Sequence, residues 1–162
     1  MASTSRLPDA TIGRLMGLLE VMRETPGPDD VYLLAGRLQL ELDDLLPLVE
    51  AAELLGFAMV EEGDYELTEE GRRVADAEEK ERKAIFRAHA EQLPLLRLIV
   101  ERLAASDDGL VPRETIRELM PGRFSRKRAE RQLDTAVDWG RYAELFDYDA
   151  EARHFVRIGT TT

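Results

Sequence analysis

Twice in 162 residues the chain runs through one succession of signals. A helix-period segment closes on a glycine, and a short alternating segment, a turn and a second alternating segment follow. The first copy reads "AELLGFAMVEEGDYELT" and the second "AVDWGRYAELFDYDAEARHFVRI". Alternation with a period of two marks strands, and turn residues between two such runs mark a hairpin. A glycine after a helix adopts the left-handed backbone at no steric cost. Gly56 and Gly140 are therefore both expected at helix ends, and aligning them superposes the two halves. A chain built this way must cover a small hairpin with helices, and do so twice.

The helices upstream complete the pattern. From Ala10 to Thr25, Ile12, Leu15, Leu18, Leu19 and Met22 recur at helical spacing. "PGPDD" stops that helix, and Asp29 or Asp30 can cap the next, "VYLLAGRLQL". A third helix starts near Asp43, with Pro47 in its first turn, where a missing N–H costs little. From Pro94 the plan repeats. "LPLLRLIVERLAAS" reads as helix, "DDGLVP" as loop and "RETIRELM" as a short second helix. "PGRF" makes the turn into "SRKRAERQLDTAVDWG", capped by Ser125, with Leu133, Ala136, Val137 and Trp139 on one face. "RYAELFDYD" and "RHFVRI" are the strands that follow.

Three helices and a hairpin, with a tight turn between the last two helices, predict a winged helix. The expectation is a mainly α (α+β) chain with tandem winged-helix-like units at 7–68 and 93–158. A connecting helix over 69–92 opens at Thr68 and runs on through "EEKERKAIFRAHAEQL". Within it Glu78 stands over Arg82 and Glu79 over Lys83, the pattern of a solvated face.

With these residues laid out, the chain resembles the C-terminal AAA-associated domain family from about Leu7 to Ile158. The matching stretches are "LPDATIGRLMGLLEVM", "LDDLLPLVEAAELLGFAMVEEGDYELTEEGRRVADA", "ERKAIFRAH" and, most specifically, "TAVDWGRYAELFDYD". Such domains typically follow the ATP-binding subunit of nitrate/sulfonate/taurine-type ABC transporters. The resemblance implies a non-catalytic regulatory or assembly module whose partner is an ABC-type ATPase subunit or another protein. It supplies no catalytic residues. The chain has no G-x-x-x-x-G-K-[ST], and its lysines Lys80, Lys83 and Lys127 lie in "EEKERKA" and "SRKRA", outside any Gly-rich loop.

Composition narrows the chemistry. There is no Cys, so thiolate catalysis and Cys-based zinc sites are excluded. The longest apolar patch, "LPLLRLIV", is short and broken by Arg97, so no signal peptide, membrane span or membrane insertion is expected and a cytoplasmic location is. His89 and His154 lie far apart and lack motifs, while carboxylate pairs such as Asp29/Asp30 and Asp107/Asp108 sit at helix starts, where capping explains them. The chain is read as no enzyme, with no cofactor and no metal.

Nucleic acid is the competing partner, because helix-turn-helix folds place the third helix in the major groove. The net charge of −11, from 33 acidic and 22 basic residues, opposes it. The third helix of the first half carries Glu41, Asp43, Asp44, Glu50 and Glu53 with no basic residue. The second half differs: Arg123, Arg126, Lys127, Arg128 and Arg131 cluster at the start of its third helix, and Arg141 lies near its end. These six are the candidate anion or partner contacts. Glu130, Asp134 and Asp138 on the same helix are expected to offset them. The candidate aromatics, for partner or core, are Trp139, Tyr142, Phe146 and Tyr148, with Phe57 and Met59 as apolar candidates in the first hairpin. A docking module that can pair with itself is the expected function. A transcription-factor-like DNA binder acting through the second unit is the alternative.

Overall fold

The computed structural model describes residues 6–122 and 124–159. It is mainly α, with two small three-stranded antiparallel sheets. Residues 8–89 form one unit, and residues 90–159 form the other together with residues 6–7.

The first unit begins with α1 (Ile12–Glu24), whose N-cap Thr11 accepts from the Arg14 N–H at 3.3 Å. Next come β1 (Asp29–Asp30) and α2 (Val31–Leu38), capped by Asp30 through the Tyr32 N–H at 2.6 Å. α3 (Leu42–Leu54) ends on Leu55, and Gly56 takes φ +82 as expected. There the Phe57 N–H reaches the Ala52 carbonyl and the Gly56 N–H reaches that of Glu53, which closes the orphan carbonyls of the last turn. β2 (Ala58–Glu61) and β3 (Asp64–Leu67) pair through a two-residue turn in which Glu62 and Gly63 both have positive φ, the geometry that matches strand twist.

α4 (Glu69–Asp76) and α5 (Glu79–Ala90) follow. They replace the single helix expected over 69–92. Ala77 turns to extended backbone at ψ 152, and the Arg82 guanidinium folds back on the end of α4, donating to the Val74 and Ala75 carbonyls at 3.1 and 2.9 Å. Arg82 is therefore no member of a solvated face. Its side chain is 14% exposed and reaches Glu20 at 3.4 Å. Around these elements Leu15, Leu18, Met22, Leu34, Leu45, Phe57, Tyr65, Val74 and Phe86 are buried. Each such aliphatic or aromatic side chain contributes about 1.5–3 kcal/mol on leaving water.

The second unit repeats the order. α6 (Pro94–Ala105) starts on proline, β4 (Leu110–Pro112) leads directly into α7 (Arg113–Leu119), and α8 (Arg126–Tyr142) is the longest described helix. β5 (Asp147–Asp149) and β6 (His154–Val156) close it. Leu96, Ile99, Leu103, Ile116, Leu133, Ala136, Trp139, Phe146 and Phe155 form its core. Leu7 joins this unit through Gln132, whose side-chain amide bonds both its N–H and its carbonyl.

Each hairpin has a third strand that was expected to be loop. β1 pairs with β3 (Asp29 opposite Tyr65), and β4 pairs with β6 (Val111 opposite Phe155), giving orders β1-β3-β2 and β4-β6-β5. These strands are two and three residues long, too short for alternation to show. β1 is moreover Asp-Asp, a composition depleted in strands.

Gly140 corrects a second expectation. It lies inside α8, and the residue with positive φ past that helix is Glu144, at φ 58. The Leu145 N–H bonds the Gly140 carbonyl and the Glu144 N–H bonds that of Arg141, the same closure as at Gly56. Glu144 is thus the counterpart of Gly56, and the halves align four residues later than their glycines suggest. Arg141 and Tyr142, expected at the start of a strand, are the last residues of α8. No described helix is long and apolar enough to cross a membrane.

Candidate interaction surface on α8

The cations of α8 stand where they do because Ser125 caps the helix, its hydroxyl accepting the Arg128 N–H at 3.1 Å. Arg126, Lys127, Arg128 and Arg131 are all exposed. Lys127 and Arg131 are four residues apart and so share a face. Arg123 lies outside the described residues.

Two of the acids expected to offset these cations, Glu130 and Asp134, are bonded by Arg113. Arg113, the first residue of α7, is 5% exposed. Its Nε and Nη2 donate to Glu130 Oε1 at 3.0 and 2.8 Å, and Nη2 also reaches the Glu130 carbonyl at 3.0 Å and Asp134 Oδ1 at 2.9 Å. The same guanidinium meets the Tyr148 hydroxyl at 3.4 Å and lies 5.8 Å from that ring's centroid. Burial works to lower the Arg113 pKa, but Tyr148, Asp134 and Glu130 together outweigh it and hold the group above its ordinary value. Arg153 makes a longer contact with Glu130, at 3.8 Å.

Among the described residues no carboxylate lies within 4 Å of Arg126, Lys127, Arg128 or Arg131. Glu114, whose pKa Arg117 holds below the usual carboxylate range with a weaker contribution from Arg126, is already bonded to Arg117. The start of α8 therefore presents exposed positive charge outside any salt bridge among the described residues. Arg141 does not belong to it, since it pairs with Asp147 at 3.1 Å.

The aromatics divide. Trp139 and Phe146 are buried, and Phe146 meets Phe155 edge-on at 5.4 Å. Gly140 makes room for that ring, because a Cβ there would collide with Phe146. Tyr142 and Tyr148 are half-buried, Tyr148 resting 5.1 Å from Phe155. In the first hairpin Phe57 is buried, which removes it from the surface candidates, while Met59 is 53% exposed.

Charge is unevenly shared. Residues 8–89 hold 20 acidic and 9 basic side chains, and residues 90–162 hold 13 and 12. On α3 the exposed side chains include Asp43, Asp44, Leu46, Glu50 and Glu53, with no cation on the helix. The histidines have structural settings. His89 Nε2 lies 2.8 Å from Glu70 Oε2 and its ring meets Phe57 edge-on at 5.1 Å, and His154 Nδ1 lies 2.7 Å from the Ala152 carbonyl. No group of three His, Cys, Asp or Glu side chains able to hold a metal occurs among the described residues.

Sequence reasoning missed Arg113. A weak signal was there: an arginine in the first turn of a helix opposes the macrodipole, which favours a nearby acid.

Compared with known families, residues 32–149 match the family described as the C-terminal AAA-associated domain. That span runs from the start of α2 to the end of β5 and so takes in most of both units. No curated protein and no solved structure matches the chain.

Proposed function

Since the chain belongs to the C-terminal AAA-associated domain family, we propose that it is a non-catalytic regulatory or assembly module acting by protein contact on an ABC-type ATPase. The observation that carries this reading is the family match across both units. The family is an ATPase-associated one and not a catalytic one. We read each unit as a winged helix, with the third strand placed ahead of the second helix, and each as a platform for docking. The surface charge favours protein over nucleic acid: α3 is acidic throughout, and the β5–β6 hairpin carries Asp147, Asp149 and Glu151. The third helix that would enter a groove meets phosphate with carboxylates beside it in both units.

The experiment is isothermal titration of the chain against a purified ABC ATP-binding subunit of the nitrate/sulfonate type, with ATP hydrolysis followed in parallel. Saturable binding that changes the subunit's turnover supports the reading. Absence of binding, or ATP hydrolysis by this chain alone, overturns it.

A further inference from the structure

Arg126, Lys127, Arg128 and Arg131 are exposed and make no salt bridge among the described residues, so a counter-surface can engage them. A duplex is a poor one, since a groove long enough to hold the helix would also meet Asp134 and Asp138, which follow Lys127 and Arg131 at helical spacing. An acidic protein face is a better one, and the chain itself carries such a face. Along α3 the residues Asp43, Leu46, Glu50 and Glu53 recur at three- and four-residue spacing, which aligns them in one stripe. Leu46 in that stripe is 45% exposed. Opposite charge on two exposed helix faces is the composition of a specific but modest contact.

We propose that the N-terminal half of α8 docks on α3 of a second copy of this chain, with Lys127 and Arg131 facing Glu50 and Glu53. Every copy carries both faces, so one copy can offer its α8 to the α3 of another. The inference does not depend on the identity of any ATPase.

Sedimentation velocity on the full chain tests it at about 50 and 500 mM salt, over which the Debye length falls roughly threefold. Two double variants are compared, Lys127→Glu with Arg131→Glu, and Glu50→Lys with Glu53→Lys. All four positions are exposed, so circular dichroism should report an unchanged fold. The expected result is a dimer at low salt that weakens about tenfold or more at high salt, as charged contacts do. Each double variant alone should be monomeric, and an equimolar mixture of the two should associate again, because the acidic α8 of one then meets the basic α3 of the other. Monomers at every concentration, dimers that survive both reversals, or a mixture that stays monomeric would overturn the proposal. So would tight duplex-DNA binding, lost on Lys127→Glu with Arg131→Glu, by a protein that remains monomeric.

Discussion

Arg113 and Glu130 are joined three times: two guanidinium nitrogens share one carboxylate oxygen, and one of them also holds the Glu130 backbone carbonyl. Arg113 is buried and Glu130 only half-buried, so the pair ties the start of α7 to the second turn of α8 from inside the unit. Arg126, Lys127, Arg128 and Arg131 of the same helix remain exposed.

Arg113→Ala should destabilise the second unit by about 2–3 kcal/mol. Removing one partner of a largely buried pair leaves the other unsatisfied, and partial exposure of Glu130 reduces the full penalty. Glu130→Gln, which keeps a hydrogen-bond acceptor, should cost about half as much. Urea unfolding of the two variants checks the order, and equal costs would argue against the pair.

Glycines of α1, α2 and α8 should respond in opposite directions. At Gly140 an added methyl meets the Phe146 ring, so Gly140→Ala should cost about 1–3 kcal/mol despite alanine's higher helix propensity. At Gly17 and Gly36 nothing lies within 4 Å, and alanine there should stabilise by about 0.5–1 kcal/mol. Thermal melts of the three variants decide it.

Arg82 should behave as a helix cap. Arg82→Ala leaves the Val74 and Ala75 carbonyls without this donor and should cost about 1–2 kcal/mol. Arg82→Lys should recover little of it, because an ammonium cannot reproduce the planar fork. Lys80→Ala, on the exposed side of the same helix, serves as the control and should be near neutral.

Acid should weaken the first unit through Glu70. The His89 bond, and then that of Arg73, hold its carboxyl below the usual glutamate range. A carboxyl lowered on folding stabilises fully above its unfolded value, and that stabilisation is lost as pH falls through the folded value. The melting temperature of the wild type should therefore drop more steeply below about pH 4.5 than that of Glu70→Gln. Parallel curves would show that Glu70 contributes nothing.

Much of the architecture was legible because it rests on local preferences. Thr11, Asp30, Thr68 and Ser125 cap their helices from their own first turns, and apolar spacing alone marks the buried faces of α1, α3 and α8. Gly56 was read correctly because a helix end with positive φ is a backbone requirement that glycine meets by itself. Gly140 sits in a similar string of letters for another reason, the space that Phe146 occupies six residues on, and only packing distinguishes the two.

The same division holds for charge. Composition and position determined that the start of α8 is basic and α3 acidic. Whether the acids on α8 cancel its cations depends on Arg113, 17 residues before Glu130, and on the pairing of β4 with β6 beside it. β1 and β4 likewise exist because β3 and β6 offer free edges to them, since two or three residues have no strand propensity of their own to speak of. What the chain prefers over one turn or one alternation is written in neighbouring residues. What a side chain pairs with across a unit is decided only when distant segments are brought together.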